Sequence, residues 1–225
     1  MKPITSFFTS ENKKRKLEEE KEENKEKKQA TIDYIIKPTL MGSFLSQQKL
    51  GDNDLLEQCV ESVKGLLVHK PEIVVHGEKR NQARNVGFFS NDSKGYRYSG
   101  TMAASKALTP PLASLLTLVN SKYSAAFNGI LVNEYVGGDD YISPHSDNES
   151  YLDPDVGVVA VAFGAERLFR VKSKKDKKTV VNVQMKPGLL IHMGGAFQQE
   201  FTHEVPKQKT ITGTRTSFTF RKHAE

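Results

Sequence analysis

Between residues 130 and 221 the chain is a succession of short apolar segments broken by glycine, proline and aspartate. Their alternating positions and their β-branched and aromatic residues are typical of β-strands. The predicted strands are ILVNEYV (130–136), GVVAVAF (157–163), RLFRVK (167–172), TVVNVQM (179–185), GLLIHM (188–193) and TRTSFTFR (214–221). Because strands this short must share a core, we expect them to pack as two facing sheets.

Two segments ahead of these strands have the apolar spacing of helices. Residues 53–68 begin with an Asn-Asp pair that can cap a first turn, and residues 110–127 begin with two prolines. The single cysteine, Cys59, excludes a disulfide framework and a thiolate metal cluster, and we expect it to be a buried packing residue. The pattern as a whole predicts an α+β fold, a jelly-roll of two sheets that carries helices.

Residues 1–31 differ in composition from the rest of the chain. From residue 9 to residue 31 nearly every position is polar or charged, so this segment is predicted to be a disordered tail and residues 32–225 to be the folded domain. Of the formal net charge of +6, the nine Lys/Arg and seven Glu of the tail account for only +2, and the remainder suits a polyanionic partner of the domain. No segment resembles a membrane span or a signal sequence, which predicts a cytosolic or nuclear protein without membrane contact.

The first candidate for chemistry is the pair His145-x-Asp147. Residues i and i+2 of an extended backbone point the same way, so both side chains can reach one ion, and the donors suit iron, zinc or manganese. Taken alone, the pair is more often a histidine hydrogen-bonded to an aspartate in a loop. A third ligand would come from a distant strand, and the remaining histidines are His69, His76, His192, His203 and His223. We expect His192 to pack near the core and His223 to lie on the surface.

The last predicted strand has two unlike faces. One face holds Arg215, Ser217, Thr219 and Arg221, and the other holds Thr216, Phe218 and Phe220. A basic, hydroxyl-bearing face opposite an aromatic one suggests a polar cavity, where two guanidinium groups could bind a small dicarboxylate. A solvated sheet edge is the alternative.

A third candidate is Asn133-x-Tyr135, which places an amide and a phenol on one face of a strand. Residues 136–140 form a turn, and His145 follows shortly after it. By itself this is an ordinary strand followed by a turn.

Together and in this order, the motifs resemble the AlkB family of Fe(II)/2-oxoglutarate dioxygenases, over roughly residues 32–225. The stretches that carry the resemblance are Asn133-x-Tyr135, His145-x-Asp147-x-Glu149, His203-Glu-Val-Pro206 and Arg215-Thr-Ser-Phe-Thr-Phe-Arg221, with Arg80-Asn-Gln-Ala-Arg84 and Gly95-Tyr-Arg-Tyr-Ser-Gly100. The resemblance implies a double-stranded β-helix core with flanking helices and a nucleotide-recognition lid.

The resemblance also implies the roles of the site residues. Fe(II) would be bound by the catalytic trio His145, Asp147 and His203. The co-substrate 2-oxoglutarate would be bound by Arg215 at its distal carboxylate, by Arg221 near the metal, and by Asn133, Tyr135, Ser217 and Thr219. The family often has asparagine at the position of Ser217.

The implied reaction consumes O₂ and 2-oxoglutarate and removes N-alkyl groups from DNA bases, such as 1-methyladenine and 3-methylcytosine. Substrate-binding residues would be Tyr96, Tyr98, Glu149 and Arg84. His76 stands where duplex-active relatives carry an apolar finger, which favours a single-stranded substrate. The alternatives are an RNA demethylase of the same family and an inactive adaptor that binds nucleic acid or a clamp.

A short apolar island precedes the charged tail. Ile4, Phe7 and Phe8 would share one face of a helical turn and resemble a PIP-box, the peptide that docks on the sliding clamp PCNA, although Met1 takes the place of the usual glutamine. The run Lys13-Lys-Arg-Lys16 resembles a nuclear localisation signal. The sequence therefore predicts a nuclear protein, expected to be a monomer, with PCNA as a partner.

Overall fold

The structure is a computed structural model that describes residues 32–223, except 76, 94, 99, 100, 150, 151 and 154, and omits the side chains of residues 75, 97, 98, 101 and 102. The chain divides into two units, Met1–Asp33 and Tyr34–Glu225. The clamp motif predicted at Ile4, Phe7 and Phe8 and the basic run lie outside the described residues, as does His76.

The helices are α1 (Asn53–Val63), α2 (Pro110–Tyr123) and the short α3 (Phe197–Glu200). The strands are β1 (Asp33–Ile36), β2 (Phe44–Lys49), β3 (Glu72–Val75), β4 (Glu78–Asn81), β5 (Asn85–Phe89), β6 (Gly95–Tyr98), β7 (Thr101–Lys106), β8 (Gly129–Tyr135), β9 (Ile142–His145), β10 (Val158–Gly164), β11 (Arg167–Ser173), β12 (Thr179–Met185), β13 (Leu189–Gly194), β14 (Phe201–Val205) and β15 (Arg215–Arg221). The six strands predicted from the sequence are present, each to within one residue at either end.

Both long helices begin where the sequence predicts and end earlier. The side chain of Asp52 accepts a hydrogen bond from Leu55 N and caps α1, and Thr109 caps α2 in the same way. After the end of α1, Gly65 adopts a φ of +73°, and at the end of α2, Ser124 adopts a left-handed conformation. These left-handed residues turn the backbone out of the helix, which apolar spacing alone does not reveal.

The strands form two sheets and a hairpin. The larger sheet has the order β1-β2-β13-β10-β15-β8-β5-β7-β6, the smaller sheet has the order β12-β11-β14-β9, and β3 pairs with β4. The predicted jelly-roll of two sheets with flanking helices is confirmed. In the described part of the chain, no helix combines the length and apolarity needed to cross a lipid bilayer.

The larger sheet has a core on each face. Phe218 and Phe220 of β15 pack with the buried faces of α1 and α2, and Cys59 lies in this cluster, as predicted. Burial and the charge of Asp52 raise the pKa of the Cys59 thiol to about 12, which keeps it inert. On the other face, Tyr135 belongs to a second apolar cluster that β11 and β13 share.

The prediction that His223 lies on the surface is wrong. Its side chain is only 5% exposed, and its ring centroid lies 4.9 Å from that of Phe88. The amide of Asn128 holds the backbone, donating to His223 O (3.0 Å) and accepting from His223 N (2.8 Å). Residues 222 and 223 thus stay against the sheet. His192 packs edge-on against the rings of Phe44 and Tyr123, as predicted.

Two loops lie against each other beside the second core. The loop 136–141 connects β8 to β9, and the loop 206–214 connects β14 to β15. Gly138 N donates to Ile211 O (2.7 Å), and Gln208 N donates to Gly138 O (2.8 Å). A Cβ atom at Gly138 would lie 1.9 Å from Gln208 O, so this close approach requires glycine.

We therefore expect Gly138→Ala to lower the free energy of unfolding by about 1–3 kcal/mol, because one of the two loops must move to relieve the clash. Urea denaturation measures the change. Gly137→Ala is the matched control, since its Cβ would lie 3.8 Å from the nearest atom, Ile211 O. Equal stability of the two variants would contradict the close packing of the loops.

Candidate active site

A cavity between the two sheets collects most of the side chains that the sequence motifs single out. The polar residues that line it are Arg84, Tyr96, Asn133, Tyr135, His145, Asp147, His203, Glu204, Arg215, Ser217, Thr219 and Arg221. The polar face of β15 thus faces this cavity and not solvent, as the alternation of the strand predicted.

Three of these side chains converge as a candidate metal site. In the pairing of β14 with β9, His203 lies directly opposite His145, and their ring centroids are 4.3 Å apart. Asp147 follows two residues after His145, with Oδ1 3.8 Å from His145 Nε2 and Oδ2 3.9 Å from His203 Nε2. The three ligand atoms lie within 4.8 Å of one another, so one ion could contact them all.

The tautomer of His145 favours metal binding. Its Nδ1 lies 2.9 Å from the carbonyl oxygen of Ser143. A carbonyl oxygen can only accept, so Nδ1 carries the proton and the lone pair of Nε2 points towards Asp147. The ring of His203 is held differently, stacked on Phe169 with the centroids 5.3 Å apart.

The charge states of the trio are those of metal ligands. Burial lowers the pKa of His145, and it lowers the pKa of His203 to about 3, so both imidazoles are neutral. Burial would raise the pKa of Asp147, but Arg221 and the two imidazoles lower it to about 2. Asp147 Oδ1 is buried and has no hydrogen-bond partner among the described residues. A buried anionic oxygen without a partner beside two neutral imidazoles fits a bound cation such as Fe(II).

Two buried guanidinium groups lie at opposite ends of β15. Arg221 Nη2 donates to Asp147 Oδ2 (2.7 Å) beside the metal trio. Arg215 is 3% exposed, and within the described ranges its Nε and Nη1 meet no acceptor. Burial disfavours the charged form of Arg215 and lowers its pKa. An anionic ligand beside the guanidinium group would stabilise that charge. Arg215 and Arg221 thus suit a ligand that carries a carboxylate at the end far from the metal.

Comparison with known proteins agrees with this geometry. Residues 38–221 match the family described as the 2OG-Fe(II) oxygenase superfamily. The DNA oxidative demethylase ALKBH2 of Mus musculus is 31% identical over 174 residues, which cover 74% of this chain and 72% of that protein. The chain belongs to the AlkB family of these oxygenases. It is therefore an Fe(II)- and 2-oxoglutarate-dependent dioxygenase.

Two further relatives extend the comparison. ALKBH2 of Arabidopsis thaliana is 29% identical over 178 residues, which cover 68% of this chain and 57% of that protein. The solved structure of OsALKBH1 superposes with a TM-score of 0.52 at 14% identity, covering 79% of this chain and 97% of that one. At this identity the superposition supports the fold of the AlkB dioxygenase only.

Strand register brings together the residues that the sequence predicted to bind 2-oxoglutarate. In the pairing of β15 with β8, Arg215 lies opposite Tyr135 and Ser217 opposite Asn133. Arg84 Nε donates to Asn133 Oδ1 (2.7 Å), which orients the amide so that its NH₂ group can donate elsewhere. Ser217 Oγ donates to Asn133 O (3.5 Å), and the contacts of Ser217 and Thr219 with 2-oxoglutarate remain predictions.

The predicted substrate residues of the dioxygenase lie in different environments. Tyr96 is buried, and its hydroxyl donates to Glu149 Oε1 (3.0 Å). Burial and the charge of Asp147 raise the pKa of Glu149. Arg84 is buried against Asn133, on the co-substrate side of the cavity. The side chain of Tyr98 lies outside the described residues.

Two side chains that shape the site belong to none of the sequence motifs. Gln198 of α3 accepts a hydrogen bond from Asp147 N (2.9 Å) and fixes the backbone at that ligand. Arg167, the first residue of β11, is completely buried and stacks on Tyr135. The only hint of Arg167 was that the alternation of the predicted strand places it on the same face as the apolar Phe169 and Val171. Nothing in the sequence indicated Gln198.

We expect the protein to bind one Mn(II) or Fe(II) ion with an affinity that is nearly independent of pH between about pH 6 and 8. The metal affinity of an ordinary imidazole falls as the pH drops below its pKa of about 6.5, because protons compete for the same nitrogen, whereas burial lowers the pKa of His203 to about 3. His203→Ala should weaken binding by more than about 100-fold, the upper end of the loss caused by an outer-shell partner. Calorimetric titration with Mn(II) without oxygen measures both effects.

The matched control is His69→Ala, because His69 is exposed and distant in sequence from the trio. Its Mn(II) affinity should equal that of the unaltered protein. A His203→Ala protein that keeps full affinity would remove His203 from the ligand set.

Proposed function

We propose that this dioxygenase is a DNA oxidative demethylase that removes N-alkyl groups from bases such as 1-methyladenine and 3-methylcytosine. The observation that carries the proposal is the carboxylate of Glu149, whose Oε2 is buried and meets no donor in the described part of the chain. Both bases carry positive charge and an exocyclic amine, so a buried carboxylate oxygen that meets no donor favours them. Two relatives named DNA oxidative demethylase support the same substrate class.

The roles follow from the positions of the side chains. Fe(II) would be held by His145, Asp147 and His203, and 2-oxoglutarate by Arg215, Arg221, Asn133 and Tyr135. When bound there, iron supplies, with O₂ and 2-oxoglutarate, the oxidation of the N-alkyl carbon, after which the base loses an aldehyde. Arg221 keeps Asp147 ionised by pairing with it. Tyr96, which lines the cavity, donates a hydrogen bond to the Glu149 carboxylate and fixes its orientation in the neighbouring pocket that Asp147 and Arg221 also line.

A lysine-rich hairpin turn would contact the phosphate backbone of the nucleic acid. Lys174, Lys175, Lys177 and Lys178 lie at the turn between β11 and β12 and are exposed. Lysines of this kind contact phosphates without reading sequence, and their contribution falls as salt rises. A base of single-stranded DNA can enter the cavity without the energetic cost of breaking a base pair, which supports a single-stranded substrate.

The substrate assignment predicts a selective effect of Glu149→Gln. Glutamine can still accept from Tyr96 but has no charge, so kcat/KM for the cationic base 1-methyladenine should fall about tenfold. The value for a neutral base such as 3-methylthymine should change much less. The measurement is loss of the methyl group from a single-stranded oligonucleotide in the presence of Fe(II), 2-oxoglutarate and ascorbate.

Two controls accompany this assay. His145→Ala should abolish turnover, and His69→Ala should leave it unchanged. Absence of demethylation by the unaltered protein would contradict the proposal. Faster demethylation of RNA than of DNA of the same sequence would reassign the enzyme to RNA, and iron-independent DNA binding without turnover would make it an adaptor.

We further propose that the N-terminal tail directs the enzyme to replicating DNA in the nucleus. The apolar trio Ile4, Phe7 and Phe8 supports PCNA binding, and the run Lys13–Lys16 supports nuclear import. A fluorescent peptide of residues 1–16 should bind PCNA, and the double change Phe7→Ala, Phe8→Ala should weaken binding about 100-fold, as for loss of two anchor residues. A peptide with Lys13 and Lys14 changed to alanine should bind nearly as well, and equal loss in both variants would indicate charge attraction instead.

A further inference from the structure

A buried arginine outside the metal trio connects both halves of the site. Arg167 is 0% exposed, and its hydrogen bonds go to neutral oxygens. Nη1 donates to Gly137 O (2.9 Å), Nη2 donates to Asp140 O (2.8 Å) and Pro206 O (2.8 Å), and Nε donates to Gln208 Oε1 (3.3 Å). Burying a cation is costly unless its N–H groups are hydrogen-bonded. The four hydrogen bonds of Arg167 form only when its acceptors hold these positions.

The partners of Arg167 lie in the two loops that carry the site. Gly137 and Asp140 belong to the loop between Tyr135 and the strand that ends at His145. Pro206 and Gln208 belong to the loop that runs from the strand of His203 towards Arg215. The carboxylate of Asp140 is occupied by Lys70 Nζ (2.9 Å) and Val136 N (2.9 Å), so Arg167 takes only its carbonyl oxygen. One guanidinium group therefore fixes the spacing of both loops.

The guanidinium group of Arg167 also lies over the ring of Tyr135, one of the residues proposed to bind the co-substrate. Its Cζ lies 5.7 Å from the centroid of the Tyr135 ring, and the Cζ of Arg215 lies 5.3 Å from the same centroid. Tyr135 is buried and lies opposite Arg215 in the strand register. The ring is thus held by two guanidinium groups, and a shift of Arg167 would be transmitted through Tyr135 to Arg215.

The positive charge of Arg167 also favours an anionic ligand next to Arg215. Arg215 has an electrostatic contact with Arg167, and burial, followed by this like charge, lowers the pKa of Arg215. Two positive charges around one tyrosine favour an anion more strongly than one does. A ligand carboxylate next to Arg215 would relieve this repulsion.

We propose that Arg167 is a positioning residue that makes the dioxygenase select a 2-oxo acid with a second carboxylate. It holds Tyr135 and Arg215 in the arrangement that receives the distal carboxylate of 2-oxoglutarate. The inference rests on the proposed role of Arg215 as the anchor of that carboxylate.

The test compares two ligands on the full-length protein loaded with Mn(II), titrated calorimetrically without oxygen. 2-Oxoglutarate has the distal carboxylate, and 2-oxopentanoate has the same keto-acid end without it. Arg167→Met should weaken binding of 2-oxoglutarate about tenfold and that of 2-oxopentanoate less than about twofold. Arg170→Met is the matched control on the same strand, because Arg170 bonds Glu204 and Asn182 and does not contact Tyr135. It should bind both ligands normally.

Arg215→Met separates the inference from the proposal on which it rests. It should weaken 2-oxoglutarate binding about 100-fold, and an unchanged affinity would refute the anchor role itself. If Arg215→Met loses affinity while Arg167→Met keeps it, or if Arg167→Met weakens both ligands equally, the positioning role of Arg167 is overturned.

Arg167→Lys covers the case in which the methionine variant does not fold, as judged by circular dichroism. Lysine keeps the positive charge but lacks the fork that bonds both loops, so it should show a smaller, still selective loss of 2-oxoglutarate affinity. If neither variant folds, Arg167 serves folding alone and the proposal fails.

Discussion

The structure depends on one strand with two unlike faces. β15 pairs with β10 on one side and β8 on the other, and its side chains alternate between an apolar core and the cavity. Phe218 and Phe220 hold the strand against the helices, so Arg215 and Arg221 project from a backbone that packing has already fixed. The same strand thus supplies two aromatic residues of the core and two of the three arginines that line the cavity. Changes that loosen the core would therefore also displace the arginines that we propose to bind the co-substrate.

Buried charge is the second constraint on this site. Asp147 is ionised although it is buried, which is tolerable because Arg221 pairs with it and two neutral imidazoles face it. Arg84 and Arg215 also line the cavity, and their positive charge suits an anionic ligand. Two neutral imidazoles and the ionised Asp147 lie at one end, and Arg215, whose Nε and Nη1 meet no acceptor among the described residues, lies at the other. The site is thus arranged for a metal and a dianion together, which is the requirement of an Fe(II)/2-oxoglutarate dioxygenase.

The loops at the edge of the cavity are less regular than the sheets, but specific contacts fix their positions as well. Gly138 allows the backbones of the two loops to approach, and Arg167 bonds carbonyl oxygens in both. Every polar group buried between loops needs a partner, and a fork of five donors is one of few side chains that can supply several at once. These contacts connect the positions of His145, His203 and Arg215, which are far apart in the chain, through one rigid junction.

The sequence by itself determined the features that depend on short spacing. Alternation along β15 identified its two faces, the pair His145-x-Asp147 pointed to one ion, and the apolar pattern around Cys59 placed it in a helix. Only the tertiary structure decided which groups meet. The register of β14 against β9 sets His203 opposite His145, and the same long-range packing buries His223 and brings Arg84 to Asn133. The physical reason is that local backbone geometry sets the direction of a side chain, whereas strand pairing across distant segments sets its neighbours.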